Sequence, residues 1–244
     1  MNIIEARQLN IGYGEIPVLH GLDFGIPEGR ITVILGKSGS GKTTLLKSLI
    51  GLLPPLAGEI RFCDTLLDFR SEKSLQDHYR RIGVLYQNAA LLSSLNLFEN
   101  IALPLRIHRT DLREKDIREQ VEKRLAQVGL EQSGGKLPGE LSGGMRKRAG
   151  LARALVQEPK IVFCDEPSAG LDPITSTQLD RLMIRLNRET GTTLAVVTHE
   201  LRSVEAVADR VLVLHDGRVH FDGEFGELIT QKDPFIESFF LRTT

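Results

Sequence analysis

The chain has 244 residues, 41% of them hydrophobic and 26% charged, an ordinary balance for a globular protein with a sizeable core. Its 31 Lys and Arg against 32 Asp and Glu leave no global field to gather nucleic acid or anionic lipid. No apolar run approaches the roughly 18–20 residues that span a bilayer, and the start Met1-Asn2-Ile3-Ile4-Glu5 lacks a signal-peptide pattern, so membrane work is expected to go through a partner.

Residues 1–30 read as β-structure. Leu9, Ile11 and Tyr13 alternate, as do Leu22, Phe24 and Ile26, with turn signals at Gly12–Gly14 and Pro27-Glu28-Gly29. Tyr13 stands upstream of the next element, where an aromatic ring can stack on a base or simply pack on the sheet.

The apolar run Ile31-Thr32-Val33-Ile34-Leu35 predicts a buried strand, and Thr44 to Ile50 predict a helix. Between them Gly36-Lys37-Ser38-Gly39-Ser40-Gly41-Lys42-Thr43 fits G-x-x-x-x-G-K-[ST] in the strand-to-helix context that pattern requires. Glycines let such a loop turn its N–H groups inward, and the helix N-terminus adds partial positive charge, so the stretch is built for a polyphosphate. Lys42 can reach the β- and γ-phosphates, and the Thr43 hydroxyl can hold Mg²⁺.

Gly58-Glu59-Ile60-Arg61-Phe62 predicts a half-exposed strand, and residues 64–81 a loop with a short helix. Gly83-Val84-Leu85-Tyr86 predicts a strand ending at Gln87; a polar residue at such a tip lies where open α/β sheets bind ligands, although alone it reads as a loop residue. From Asn88 to about Lys136 the pattern turns helical. Ile117, Val121, Leu125 and Val128 form a stripe, with Glu114–Arg118 and Glu119–Lys123 expected as i,i+4 pairs on its solvated side. The apolar segment Ala89 to Phe98 reads as core, with a partner-docking surface as the alternative.

Leu141-Ser142-Gly143-Gly144-Met145 opens a basic helix bearing Arg146, Lys147, Arg148 and Arg153; Ser142 suits its N-cap, and two glycines leave the first turn receptive to an anion. The strand Ile161-Val162-Phe163-Cys164 ends in Asp165-Glu166, suited to holding Mg²⁺ and to polarising a water. Ser168-Ala169-Gly170-Leu171-Asp172 leads into a helix whose core face is Leu179, Leu182, Met183 and Leu186. Leu194 to Thr198 predict another buried strand with His199 at its tip, and Val211 to His215 a last one before the Asp216-Gly217 turn; a helix and the apolar tail Pro234 to Leu241 follow. Cys63 and Cys164 are too few for a disulfide framework and read as reduced structural thiols.

In order and spacing these motifs resemble the nucleotide-binding subunit of ABC transporters over nearly the whole chain. Tyr13 falls at the adenine-stacking aromatic, Gly36–Thr43 at Walker A, Gln87 at the Q-loop, Leu141–Met145 at the signature, Ile161–Glu166 at Walker B, Ser168–Asp172 at the D-loop and His199 at the switch histidine. The usual signature is L-S-G-G-Q, and Met145 replaces its glutamine. With the segments 96–106 and 165–174, the signature region also resembles the ATPases of MCE-type lipid transport systems such as Mla.

The resemblance implies an α/β fold with a P-loop NTPase core (a mostly parallel sheet with flanking helices), an N-terminal antiparallel β-subdomain and an inserted α-helical subdomain. It implies one domain over 1–244, with 1–87 and 160–244 as core and 88–159 as the helical part. ATP and Mg²⁺ are the expected ligands. Nucleotide contacts are expected from Tyr13, Gly36, Lys37, Ser38, Gly39, Ser40, Gly41, Lys42, Thr43, Thr44, Ser142, Gly143, Gly144 and Asp172. Thr43, Gln87 and Asp165 are expected at the metal, and Glu166, His199 and Gln87 at the chemistry. The implied partners are a second copy closing head to tail, an integral membrane permease and an MCE-type lipid-binding protein, without nucleic acid. The implied location is the cytoplasmic face of a bacterial inner membrane, peripherally bound. Other cargo (an amino acid, metal or drug) and a cell-division ATPase are the alternatives.

Overall fold

The computed structural model describes residues 1–240. Its centre is a six-stranded sheet in the order β10-β9-β3-β8-β7-β6, formed by β3 (Ile31–Gly36), β6 (Ile82–Leu85), β7 (Ile161–Asp165), β8 (Thr193–Val197), β9 (Arg210–His215) and β10 (Arg218–Glu224). All its pairings are parallel except β9 with β10. β3 and β8 are buried along their whole length, as unbroken apolar runs are in a sheet covered on both faces.

Side-chain alternation divides the interior in two. Ile34, Ile161, Phe163, Ala195 and Leu212 face one core, which they share with Leu45, Leu46 and Leu49 of α1 (Lys42–Leu49). Val33, Val162, Cys164, Val196 and Val211 face the other. The first core is capped by a second, antiparallel sheet in the order β2-β1-β4-β5, built from β1 (Asn2–Tyr13), β2 (Ile16–Pro27), β4 (Ala57–Phe62) and β5 (Thr65–Leu66). A short helix α2 (Glu72–Tyr79), N-capped by Ser71, precedes β6.

Between β6 and β7 the chain leaves the sheet and builds a helical block of α3 (Leu97–His108), α4 (Glu114–Gln127) and α5 (Gly143–Leu155). The stripe Ile117, Val121, Leu125 and Val128 is buried, as the periodicity predicts. The predicted surface pairing is not: Glu114 is taken by Arg106 of α3 at 3.0 Å, and the pairs along α4 are Lys115–Glu119 and Arg118–Glu122, while Lys123 reaches Glu158. A guanidinium from a neighbouring helix, offering two N–H bonds to one carboxylate, outcompetes a single i,i+4 contact.

The helical pattern expected from Asn88 starts only at Leu97. Residues 89–96 form a tight loop in which Ala89 is buried while Leu92 stays 47% exposed, and Leu97 at the start of α3 is buried, so the segment is only partly core. Fully buried Asn100 organises it: its side-chain oxygen accepts from Leu92 N–H at 2.8 Å, and its amide nitrogen donates to the carbonyls of Leu92, Leu95 and Asn96 at 3.0–3.1 Å.

After β7, α6 (Pro173–Thr190) buries Leu179, Leu182, Met183 and Leu186 and ends at Gly191 in the left-handed region. α7 (Leu201–Val207) follows β8, and α8 (Phe225–Leu228) follows β10. The tail forms α9 (Pro234–Phe240), whose Phe235 stacks on His215 at 3.7 Å between ring centres with Lys37 Nζ 4.9 Å over the ring. Leu241, the end of the predicted apolar tail, lies outside the described residues. Both cysteines are free thiols, and burial pushes the Cys164 thiol up to about 12.

Candidate functional site

Four parallel strands end at the same edge of the central sheet, and each delivers one predicted site segment: β3 the phosphate loop, β6 Gln87, β7 Asp165 and Glu166, β8 His199. The four segments share one open cavity of about 480 Å³, lined by Val18, Ser38, Gly39, Gly41, Lys42, Thr43, Thr44, Gln87, Asp165, Glu166 and His199.

The loop owes its shape to its glycines. Gly41 caps α1 at φ +96°, a conformation costly for any residue with a Cβ, and a Cβ there would meet the Leu19 side chain at 2.5 Å. Lys42 is buried and folds back across the loop, its Nζ donating to the carbonyls of Gly36 at 2.7 Å and Lys37 at 3.0 Å. Burial pulls its ammonium below the usual lysine range, against the pull of Glu166 and Asp165. Ser40 Oγ is buried without a partner.

Glu166 sits at φ +45°, a left-handed position rare for a non-glycine residue and typical of functional sites. Its N–H continues the ladder to Val197 O at 2.8 Å, and its carbonyl accepts from Lys147 Nζ at 3.0 Å. The carboxylate accepts from His199 Nδ1–H at 2.7 Å through Oε1, while Oε2 is buried without a partner. Burial, followed by repulsion from Glu166, holds the neighbouring Asp165 carboxyl above the ordinary carboxylate range, with Lys147 and Lys42 acting the other way.

The remaining predicted residues lie outside this cavity. Gly36 and Lys37 join Ser38 and His199 on the wall of a larger, more apolar cavity of about 800 Å³, shared with Leu171, Pro173 and Phe239. Tyr13 is half exposed at the end of β1, with Lys47 Nζ 5.6 Å from its ring centre and its hydroxyl lowered in pKa by a hydrogen bond to Thr44. Ser142 N-caps α5, its Oγ accepting from Met145 N–H at 3.3 Å. Gly143 opens on a third cavity of about 370 Å³, shared with Gln87, so Gln87 stands between the two spaces. Asp172 caps α6, accepting from the N–H groups of Ile174 and Thr175 and from the Thr175 hydroxyl.

The basic helix is not a free cationic face. Each of its four cations is aimed at a backbone carbonyl: Arg146 at Leu141, Lys147 at Glu166, Arg148 at Val128, and Arg153 at both Ala89 and Ala90. Lys147 and Arg153 were not singled out by the motifs. One signal was available for Lys147: it continues the buried register Gly144, Lys147, Leu151, Ala154, where a lysine needs a partner.

A strand–loop–helix phosphate cradle facing a strand-tip Asp-Glu pair and a histidine defines an α/β nucleoside triphosphatase of the phosphate-loop type. Residues 19–169 match the ABC transporter family. The chain is 42% identical over 236 residues to the "Probable ribonucleotide transport ATP-binding protein mkl" of Mycobacterium tuberculosis, covering 97% of this chain and 66% of that protein. It is 37% identical over 238 residues to the "Intermembrane phospholipid transport system ATP-binding protein MlaF" of Escherichia coli, covering 98% of this chain and 88% of that one. Among solved structures, the dimeric post-hydrolysis ATP-binding cassette MJ0796 bound to ADP and Pi superposes with a TM-score of 0.81 at 30% identity, covering 91% of this chain and 98% of that one. The chain belongs to the ABC transporter family, and its fold is that of an ATP-hydrolysing cassette. No helix among the described residues is long and apolar enough to cross a membrane.

Proposed function

We propose that this cassette works as a homodimer that hydrolyses ATP with Mg²⁺ to drive an integral membrane permease, and that the cargo is phospholipid moved between bacterial membranes. The observation that carries the catalytic half is the meeting of Lys42, Gln87, Asp165, Glu166 and His199 around one cavity. The cargo rests on the similarity to MlaF, which extends over nearly the whole of this chain.

The residues present fit both ligands. A lysine whose ammonium closes on its own loop carbonyls, and buried unpartnered oxygens on Ser40 and Glu166, are what a phosphate cradle and a water site leave when considered alone. Thr43, Gln87 and Asp165 supply a hydroxyl, an amide and a carboxylate oxygen, the donor set that suits Mg²⁺. When bound, Mg²⁺ neutralises charge on the transferring phosphoryl group. Lys42 and the loop N–H groups hold the β- and γ-phosphates, while Tyr13 offers its exposed ring to the base. Glu166 uses Oε2 to orient and deprotonate the attacking water. His199 fixes Oε1 by donating from Nδ1, and its place on the cavity wall puts the ring within reach of the γ-phosphate. Ser142, Gly143, Gly144 and Asp172 of one copy close on the nucleotide of the other.

In the cell the dimer sits peripherally on the cytoplasmic face of the inner membrane, held by the permease and, beyond it, an MCE-type lipid-binding protein. The test is reconstitution with the co-purifying membrane subunit in phospholipid vesicles. ATP-dependent transfer of a fluorescent phospholipid, abolished with ADP, is the expected result. Uptake of a ribonucleotide without phospholipid transfer would move the cargo to the one named for the mycobacterial relative.

A further inference from the structure

α5 begins at the glycines of the signature and is wedged in place. A Cβ on Gly144 would meet Thr175 of α6 at 2.4 Å, and one on Gly150 would meet Leu85 at 2.8 Å and Ala89 at 3.1 Å, so the helix runs in close contact with both the segment after β7 and the end of β6. From this fixed axis two buried-stem cations reach sideways. Lys147, 5% exposed, donates to the carbonyl of Glu166 at 3.0 Å, an oxygen that also accepts from Ala169 N–H at 3.2 Å. Arg153 donates to the carbonyls of Ala89 at 2.8 Å and Ala90 at 2.7 Å, two and three residues beyond Gln87.

Both targets are places where the backbone is strained. Glu166 has φ +45°, Ala89 +57° and Ala90 +47°, all left-handed and none of them glycine. Such conformations cost about 1–2 kcal/mol per residue and persist only where the surroundings over-determine them. Here a charge-assisted hydrogen bond from α5 supplies that determination at each site.

We infer that α5 is a strut that holds this chain's own hydrolytic groups in register with its signature: Lys147 is a positioning residue for Glu166, and Arg153 one for the loop of Gln87. Neither touches the nucleotide cavity. Whatever displaces Gly143 and Gly144 at the head of the helix is thereby transmitted to the carboxylate at one side and the Q-loop at the other. This rests on the reading of Glu166 as the group that directs water.

The experiment compares kcat and KM for ATP in the 244-residue chain carrying Lys147→Met, Lys147→Arg or Arg153→Gln, beside wild type and Glu166→Gln, with melting temperature as the check on folding. Lys147→Met keeps the stem volume and loses the donor; it is expected to lower kcat about tenfold or more with KM within about twofold, since a misplacement of about 1 Å can cost a hundredfold. Lys147→Arg restores the donor and is expected to recover most of kcat. Wild-type turnover in Lys147→Met, a KM effect with kcat unchanged, or equal impairment in Lys147→Met and Lys147→Arg would overturn the inference. If Lys147→Met fails to fold, Arg153→Gln, which loses the guanidinium's charge and reach toward the two carbonyls, decides by the same selective loss of kcat. Equal turnover in wild type and Glu166→Gln would instead refute the reading of Glu166, an outcome visible before the other variants are compared.

Discussion

Asn100 offers the sharpest quantitative test of how the loop after Gln87 is held. Its side chain is wholly buried and makes four hydrogen bonds, one accepted from Leu92 N–H and three donated to the carbonyls of Leu92, Leu95 and Asn96. Asn100→Ala removes the accepted bond and the two N–H donors shared among the three carbonyls, each with a net value of about 1 kcal/mol, and strands the Leu92 N–H, so the loss is about 3 kcal/mol. For a chain of this size that lowers the melting temperature by about 6–12 °C. Asn100→Asp sharpens the question. It keeps the acceptor for Leu92 N–H but turns a second oxygen toward three carbonyls, which is tolerable only when that oxygen carries a proton. Its folded pKa is therefore raised above the unfolded value of about 3.9, the folded state binds the proton more tightly, and stability falls as pH rises from about 4 to neutrality. Urea unfolding of both variants at pH 5 and pH 7 gives the answer. A loss below about 1 kcal/mol in Asn100→Ala, or an Asn100→Asp protein no weaker at pH 7 than at pH 5, would show that the amide does not organise this loop.

Two further outcomes concern the nucleotide site. Glu166→Gln keeps the shape of the side chain and is expected to retain ATP binding while losing about 10²–10⁴-fold in turnover, with a closed dimer accumulating in ATP on size exclusion; phosphate release within tenfold of wild type would remove Glu166 from the role of base. Gly41→Ala forces a Cβ into φ +96° and against Leu19, whereas Gly39→Ala meets only the backbone cost at φ +81° with open space around it. ATP affinity by fluorescent-nucleotide titration should therefore drop further in Gly41→Ala than in Gly39→Ala, and the reverse order would contradict the packing described for the loop.

The phosphate loop was legible because its information is local: a buried strand, eight residues and a helix, all contiguous between Ile31 and Ile50. Gln87, Asp165, Glu166 and His199 were legible one step less directly, as polar residues at the tips of apolar runs, and the parallel topology then brings those tips to one edge. What the sequence did not disclose are contacts that no helical or strand periodicity encodes, from eight to 64 positions apart. Arg106 takes Glu114 across two helices, Asn100 ties down a loop that precedes its own helix, and Lys147 and Arg153 find carbonyls 19 and 63–64 positions away. In one dimension a lysine and an arginine on a basic helix look like charge for an anion. Only packing shows that both reach strained backbone.

The discontinuity of the cavity has a consequence for the whole molecule. Its lining is drawn from residues 18, 38–39, 41–44, 87, 165–166 and 199, so the chain from β2 to the end of β8 must be in place before the whole cavity exists, and no fragment cut between these segments contains it. A ligand that recognises only the assembled cradle adds its binding free energy to the stability of every element at once, about 2.7 kcal/mol at a hundredfold excess over its dissociation constant. Nucleotide is in that sense a structural component of the cassette as well as its fuel, fastening the antiparallel sheet to the strand tips of the central sheet through one shared edge.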